Sequence, residues 1–275
     1  MKIVVLGSNG MAGHMITKYL KSKNFNVLTV ARNNADCNVD VENKDQLDNF
    51  LQSQNAQCDF MINCIGYLQP DSLKNPAKAI MLNSWFPQYL AQSLYNRNTR
   101  LIHISTDCVF DGKQGNYTEQ DAHTETNVYG RSKSLGEISN NKDITFRMSI
   151  IGPELKSNGS GLFQWIYTNK ESTLSGWENA WWNGITTLQL AKCIEKYIND
   201  PTITGTYNVV NNNVNINKFD LLSKINTIFG LNKTINKTQG PKTVNKILVD
   251  TRKEFEFDIS DYDTQLVELK EFMSR

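Results

Sequence analysis

The sequence GSNGMAG at residues 7–13 decides the fold, because it stands between the apolar run IVVL (3–6) and the stretch HMITKYLKSK (14–23). A short β-branched run followed at once by glycines is typical of a strand buried on both faces. Apolar residues at helical spacing come next. The order strand, glycine turn and helix therefore predicts nucleotide binding. The alternative is a glycine-rich turn that holds no ligand.

Each glycine of this turn has a role in the prediction. Gly7 makes the tight bend, Gly10 lets a pyrophosphate approach the backbone, and Gly13 lets the helix pack close to the strand. The N-terminus of the helix then faces the phosphates. Asn9 and Met11 belong to the same turn and are candidate cofactor-binding residues together with the glycines.

The residues after the second predicted strand bear on the choice of cofactor. That strand, NVLTV at 26–30, is followed by Arg32 and by no carboxylate at that point. A free ribose 2′-hydroxyl usually meets Asp or Glu here, whereas a 2′-phosphate prefers arginine. Arg32 therefore favours NADP(H), while a solvated Arg32 would leave NAD(H) open. Asp40 and Val41 are candidates for bordering the adenine.

The next buried strand is predicted within CDFMINCIG (58–66). Ligands of doubly wound sheets lie outside the carboxyl ends of the strands, so the end of this strand is expected to line the cofactor path. The residues at that end are Cys64, Ile65 and Gly66.

A long helix is predicted at 74–96 and a strand, LIHIS, at 101–105. Asn83 lies on an otherwise apolar helix face. Because a buried amide must find partners, Asn83 is expected either to tie a strand end or to contact the cofactor. His103 alternates with apolar neighbours and is expected to be packed rather than catalytic.

The alternation of strand and helix from residue 2 to residue 147 predicts the fold class. It favours an α/β fold, a doubly wound parallel sheet of the Rossmann type with helices on both faces. The dinucleotide-binding domain is expected at 1–152, completed by about 184–210. A smaller C-terminal substrate lobe is expected from 153–183 and 211–275.

Composition narrows the function classes. A net charge of +1 over 275 residues gives no global field for nucleic acid or an anionic membrane. Five cysteines without a CxxC pair or metal-ligand spacing indicate free thiols in a reducing compartment and no metal site. No apolar run approaches the ~20 residues that span a bilayer. The apolar run at the N-terminus, IVVL, is too short for the apolar core of a secretory signal. A cytoplasmic protein is expected.

The residues Thr106, Tyr129 and Lys133 suggest chemistry at a carbonyl or alcohol. Tyr129 and Lys133 are four residues apart, so a helix would place both on one face. A lysine ammonium is expected to lower the pKa of the tyrosine towards working pH. Thr106 adds a hydroxyl where the strand at 101–105 meets a loop. A chance YxxxK pattern is the alternative.

In this order, three stretches resemble one family. STDCVFDG (105–112), YGRSKSLGE (129–137) and FRMSIIG (146–152) are similar to the dTDP-4-dehydrorhamnose reductase family of nucleotide-sugar ketoreductases, within the extended short-chain dehydrogenase/reductase superfamily. The resemblance implies that Thr106 and Tyr129 hydrogen-bond a sugar keto oxygen and that Lys133 holds the nicotinamide ribose. It implies a nucleotide-sugar substrate. The other residues that it places at the substrate or the cofactor are Asp107, Cys108 and Met148.

Cys108 bears on the reaction type, and the favoured interpretation is a small apolar cysteine in an ordinary reductase, at a position where such reductases often carry tyrosine. Sugar-nucleotide 4,6-dehydratases carry glutamate at this position, so dehydration is disfavoured. Epimerase–reductases of the GDP-fucose synthase type carry a cysteine there and pair it with a histidine or lysine from the loop after 146–152. Lys156 is the nearby candidate in this sequence. A non-catalytic cofactor-binding regulatory subunit is a third reading, which the intact Thr106, Tyr129 and Lys133 oppose.

The second half offers candidate substrate contacts. Three tryptophans in a polar loop can stack on a nucleobase or a sugar. The alternative is that they cover the core or form a homodimer contact. Trp182 and Asn183 are the named substrate contacts. Lysines further along the chain are suited to binding a diphosphate, although lysines of this kind more often lie on a solvated surface. The residues in question are Trp177, Trp181, Trp182, Lys237, Lys242 and Lys246.

Overall fold

The computed structural model describes residues 1–156, 159 and 161–275. Ser157, Asn158 and Ser160 belong to the predicted substrate lobe and lie outside the described residues. The strands are β1 (Lys2–Leu6), β2 (Asn26–Ala31), β3 (Cys37–Asn38), β4 (Phe60–Asn63), β5 (Arg100–Ile104), β6 (Ile144–Arg147), β7 (Ile150–Ile151), β8 (Thr173–Trp177), β9 (Ala180–Trp182), β10 (Ile185–Thr186), β11 (Gly205–Asn208), β12 (Ile216–Asn217), β13 (Thr234–Thr238) and β14 (Val244–Asn245). The α-helices are α1 (Met11–Ser22), α2 (Lys44–Gln52), α3 (Gln69–Lys74), α4 (Pro76–Ile80), α5 (Phe86–Leu94), α6 (Val128–Gly136), α7 (Leu162–Thr168), α8 (Thr187–Asn199), α9 (Lys218–Phe229) and α10 (Tyr262–Met273).

Seven parallel strands form the central sheet in the order β11-β6-β5-β4-β1-β2-β3. The chain moves outward from β1 to β3 and then returns to the other side of β1 at β4. This reversal creates a crevice beyond the carboxyl ends of β1 and β4, where doubly wound sheets bind ligands. The predicted α/β doubly wound fold is confirmed.

The apolar pattern of β1 explains why this strand is central. Ile3 and Val5 belong to one buried cluster, while Val4 and Leu6 belong to a second cluster. Successive side chains of a strand point to opposite faces. A strand with no polar residue among these four positions must therefore be covered by helices on both sides.

The glycine turn after β1 is tight for steric reasons. Gly7 has a φ of +76°, and a Cβ there would lie 3.1 Å from the backbone nitrogen of Ile65. A Cβ on Gly13 would collide with the carbonyl of Gly7. The structure thus explains why glycine is needed at both positions: the turn lies against β4, and α1 packs directly on the turn.

Two predicted elements are divided in the structure. The helix expected at 74–96 is split into α3, α4, a π-helical turn at Met81–Trp85 and α5. Asn75, which precedes Pro76, leaves the helical region and accepts a hydrogen bond from Lys78 N, as the residue before proline is pushed away from α geometry. The apolar stretch DITFRMSIIGP at 143–153 predicts one more strand, but it forms β6 and β7, because β7 leaves the main sheet to pair with β10.

The C-terminal part of the chain contributes to two regions. β11 pairs with β6 and so extends the main sheet. Two small sheets, β12-β9-β14 and β13-β8, lie outside it and carry α9 beside them. The division into a nucleotide-binding domain and a substrate lobe stays a prediction. Across residues 1–156, 159 and 161–275, none of the helices combines the length and apolar character that crossing a membrane requires.

Candidate active site

Thr106 lies just beyond the carboxyl end of β5, at the start of a short turn. Its hydroxyl accepts a hydrogen bond from Cys108 N at 3.1 Å and donates one to the Asp107 carboxylate at 3.2 Å. Asp107 N donates to the carbonyl of Met148 at 3.3 Å. These bonds fix the 3₁₀ turn Asp107–Val109 to the chain that leaves β6, so the Thr106 hydroxyl has a defined position.

The α6 helix places Tyr129 against this turn. Asn127 caps the helix by accepting a hydrogen bond from Gly130 N at 2.9 Å, a role that asparagine fills well. A Cβ on Gly130 would collide with the carbonyl oxygen of Cys108. The helix therefore packs directly on the 3₁₀ turn, and Tyr129 and Lys133 are buried one helical turn apart on it.

The protonation of the site differs from the prediction. Burial raises the pKa of Tyr129 above its usual value, and the neighbouring Cys108 adds to the rise, while the Thr106 hydroxyl opposes it. Burial lowers the pKa of Lys133 to about 8, and its ammonium donates to the carbonyl of Ile104 at 2.7 Å. The expected downward shift of the Tyr129 pKa is thus wrong for this structure, because burial dominates.

A buried charge network that sequence reasoning missed lies under the site. Glu137 accepts hydrogen bonds from Ser105 Oγ at 2.6 Å and from two nitrogens of Arg147 at 2.6 and 2.9 Å. Arg147 also lies 2.9 Å from the ring of His123. Burial alone would raise the pKa of Glu137, but Arg147 and Ser105 hold it below its usual value. The negative charge of Glu137 in turn favours the ammonium of Lys133.

One sequence signal for this network existed. Arg147 is the single charged residue in the otherwise apolar or neutral stretch FRMSIIG, and a charge inside a buried strand needs a partner.

The predicted cofactor residues lie along the carboxyl edge of the sheet. Gly10 N donates to the carbonyl of Gly7 at 2.9 Å, and Cys64 N donates to the carbonyl of Leu6 at 3.0 Å. The glycine turn and the end of β4 are therefore neighbours. Gly10 is the N-cap of α1, no side chain caps it, and the first turn carries no acidic residue. This leaves the positive end of the helix available for an anion.

The structure also locates the residues after β2. Asn9 donates to the carbonyl of Asn33 at 2.7 Å, which joins the glycine turn to the loop that contains the exposed Arg32. Asp40 is partly exposed and accepts a hydrogen bond from Glu42 N, whereas Val41 is buried in the core. Contacts of these residues with a cofactor stay predictions.

Asn83 ties the loop after β4 to the helix α6. It lies on the π-helical turn and exchanges two hydrogen bonds with the backbone of Tyr67, at 2.7 and 3.0 Å, and donates to Ser132 Oγ at 3.1 Å. Its amide is thus used by the protein, and it holds the residues next to Gly66 in place. His103 is fully buried and contacts Asn63, which agrees with a packed histidine.

The lysine that the structure brings to Cys108 is Lys246 rather than the expected Lys156. The ammonium of Lys246 lies beside the Cys108 thiol. Burial raises the pKa of this thiol to about 12. Lys246 follows β14, far from Cys108 in sequence, and no local pattern connects the two residues.

The tryptophans divide between core and surface. Trp182 is 7% exposed and stacks on Tyr262 with ring centroids 5.7 Å apart, while Asn183 exchanges two hydrogen bonds with the backbone of Leu248. Trp177 and Trp181 stay about 40% exposed. The two residues named as substrate contacts are thus engaged in the protein's own packing, and their contact with a substrate stays a prediction.

Comparisons with known proteins agree with this geometry. A family model described as RmlD substrate binding domain matches residues 1–247. The dTDP-4-dehydrorhamnose reductase of Mycolicibacterium smegmatis is 33% identical over 139 residues, which cover 50% of this chain and 40% of that protein. The chain therefore spans less than half the length of that curated relative.

Two further similarities extend over more of the chain. Methionine adenosyltransferase 2 subunit beta of Rattus norvegicus is 25% identical over 252 residues, covering 84% of this chain and 72% of that protein. A solved dTDP-4-dehydrorhamnose reductase from Bacillus anthracis, in complex with NADP, superimposes with a TM-score of 0.82 at 19% identity, covering 99% of this chain and 98% of that one. At this identity the second similarity shows the fold alone.

Proposed function

Because the chain belongs to the RmlD substrate binding domain family, we propose that it reduces the ketone of a 4-keto sugar carried on a nucleoside diphosphate, with NADPH as the reductant. The product would be a precursor of deoxysugars or surface polysaccharides, made in the cytoplasm. The observation that carries the proposal is the packing of Tyr129 against Thr106 at the carboxyl edge of the sheet. The glycine turn lies at the same edge, and no side chain caps the N-terminus of α1 that follows it.

The residues at this edge fit a dinucleotide. The glycine turn supplies backbone with no side chain in the way, and the N-terminus of α1 supplies a positive potential for a pyrophosphate. Arg32 stands at the end of β2, where it suits a 2′-phosphate and supports NADP(H) over NAD(H). When bound, NADPH would supply the hydride.

The protein's own groups handle the proton and the orientation. Tyr129 is neutral at working pH, since burial moves its pKa further above its usual value, and it carries the proton that the keto oxygen needs as that oxygen becomes a hydroxyl. Thr106 orients the oxygen from the other side. Lys133, with a pKa of about 8, is protonated at neutral pH and is suited to hold the ribose hydroxyls. The sum of the reaction is ketone, NADPH and a proton giving alcohol and NADP⁺.

The state of Cys108 supports reduction over epimerisation. An epimerase would need the thiolate to remove a proton beside the ketone, but burial raises the pKa of this thiol to about 12. We therefore assign Cys108 as an uncharged side chain that lines the site and takes no part in proton transfer.

A direct assay tests the proposal. The purified protein is incubated with NADPH and a panel of 4-keto nucleoside-diphosphate sugars, and loss of NADPH absorbance is followed together with the sugar product. We expect turnover with at least one member of the panel. Tight NADPH binding without oxidation across the panel would overturn the proposal.

A second candidate is a cofactor-binding subunit of another enzyme. It is supported by the similarity to methionine adenosyltransferase 2 subunit beta, which covers 84% of this chain. The presence of Thr106, Tyr129 and Lys133 argues for the reductase, because a binding subunit needs no proton donor. NADPH binding without turnover, together with co-purification of a partner enzyme from the source cells, would favour the subunit.

A further inference from the structure

A segment of the C-terminal region, residues 244–249, runs along the catalytic edge and is here called the bridging segment. On one side it pairs with β9, since Lys246 N donates to the carbonyl of Trp181 at 3.3 Å. On the other side it bonds to the loop after β5, since Asn245 N donates to the carbonyl of Gly112 at 2.7 Å. Its backbone is therefore held from both sides.

The second half of the bridging segment is held as firmly. Tyr117 N donates to the carbonyl of Ile247 at 2.9 Å, and Val249 N donates to the carbonyl of Tyr117 at 2.8 Å. The amide of Asn183 exchanges two hydrogen bonds with Leu248. Residue 246 thus has a fixed position and direction in the structure, which is the condition for a side chain that must reach a substrate accurately.

The side chain of Lys246 extends from this segment towards the catalytic residues. Its stem passes close to Gly112, where a Cβ would lie 3.1 Å from Lys246 Cγ. Its ammonium lies beside Cys108 and near the carboxylate of Asp107, and it is 3.7 Å from Glu125 Oε2. The side chain is only 17% exposed, so it is part of the wall of the site rather than of the solvated surface.

Glu125 holds the ammonium in a set direction. Its other carboxylate oxygen accepts hydrogen bonds from Thr126 N at 2.9 Å and Asn127 N at 3.2 Å, directly before the catalytic helix α6. A carboxylate fixed by two backbone amides is a rigid counter-ion. Glu125 is therefore a positioning residue that links Lys246 to the helix carrying Tyr129.

The charges around Lys246 indicate what it binds. Burial alone would lower the pKa of its ammonium, but Cys108, Asp107 and Glu125 together raise it, so the group stays charged. The carboxylates of Asp107 and Glu125 already compensate the positive charge of the ammonium. They would also repel a diphosphate, so the position is unsuited to one. An ammonium with three N–H donors is able to share one of them with a neutral oxygen.

We propose that Lys246 is a substrate-binding residue whose ammonium donates a hydrogen bond to the sugar hydroxyl on the carbon next to the ketone. Cys108 is a neighbour of both Lys246 and Tyr129, so the proposal places the ammonium of Lys246 at the carbon next to the oxygen that Tyr129 protonates. The inference rests on the proposed function and adds to it a specificity for 4-keto sugars that keep this neighbouring hydroxyl.

The test compares two substrates and two proteins. The wild type and Lys246→Met are assayed with a 4-keto nucleoside-diphosphate sugar and with its analogue that lacks the neighbouring hydroxyl. A hydrogen bond from a charged donor is worth about 10- to 100-fold in kcat/KM. We expect the wild type to lose about that factor on the analogue, and Lys246→Met to lose it on the parent sugar but nothing further on the analogue.

Matched variants separate binding from damage to the fold. Lys224→Met removes another lysine of the C-terminal region, one that pairs with Asp263 on the surface, and is expected to keep wild-type kinetics. Lys246→Met with Glu125→Gln removes both charges of the pair, so its defect on the parent sugar is not due to an unpaired carboxylate. NADPH affinity and melting temperature are measured for every variant.

The outcomes are distinct. If the wild type is active and Lys246→Met still discriminates between the two sugars as the wild type does, the inference is wrong and the proposed function stands. If the wild type oxidises NADPH with no sugar of the panel, the proposed function itself has failed.

Discussion

Lys133 donates a hydrogen bond from its ammonium to the carbonyl oxygen of Ile104, 2.7 Å away. Ile104 is the last residue of β5, so this bond connects α6, the helix that carries Tyr129, to the strand that leads into Thr106. A lysine used in this way is held by the backbone rather than by the phenol of Tyr129.

Tyr129→Phe should abolish turnover while leaving NADPH binding intact. The ring still fills the same buried site, but the proton donor is gone, and general acid catalysis contributes about 10²–10⁴-fold. Steady-state kinetics and NADPH titration by fluorescence measure the two effects. Turnover within a few-fold of the wild type would contradict the proposed role of Tyr129.

The activity should fall as the pH rises through about 8. Burial lowers the pKa of Lys133 to about 8, so its ammonium is present below that pH and lost above it, together with its hold on the ribose. A kcat/KM profile for NADPH is the measurement. A flat profile between pH 7 and about 9 would contradict the assignment of Lys133.

Unfolding does not account for that loss. The pKa of Lys133 is lower in the folded chain than its ordinary value of 10.5, so between these two values the unfolded chain binds more protons. Stability from this group therefore increases with pH in that window. Melting temperatures across the same pH range serve as the control.

Arg32→Ala should weaken NADPH binding by about tenfold or more and leave NADH binding unchanged. The exposed guanidinium after β2 is proposed to pair with the 2′-phosphate, and charge-assisted bonds of this kind contribute on the order of 1.5–3 kcal/mol. Dissociation constants for both cofactors measure the effect. An equal loss for NADPH and NADH would show that Arg32 acts on the fold and not on the phosphate.

Cys108→Ser should retain reduction, and the wild type should place no deuterium beside the ketone in D₂O. The buried thiol has a pKa of about 12 and is neutral at working pH, so it removes no proton from the sugar. Mass spectrometry of the product detects exchange. Deuterium at the carbon next to the ketone in the wild type, absent in Cys108→Ser, would instead establish epimerisation.

Local sequence was sufficient for the parts of the fold that depend on spacing. The order of apolar run, glycine turn and helical pattern at residues 3–23 predicted β1, the turn and α1, because strand burial, tight turns and helical periodicity are properties of neighbouring residues. Tyr129 and Lys133 follow for the same reason, since four residues of helix bring two side chains to one face. Thr106 follows from its place where the strand at 101–105 meets a loop.

The tertiary structure decided what depends on burial and on residues far apart in the chain. It moved the pKa of Tyr129 upward, because the desolvation of a phenol is the sum of all the chain around it and outweighs one neighbouring lysine. It gave Glu137 its partners, engaged Trp182 and Asn183 in packing, and brought Lys246 to Cys108 through the pairing of β14 with β9. Such contacts depend on how the whole chain folds, and the spacing of neighbouring residues does not predict them.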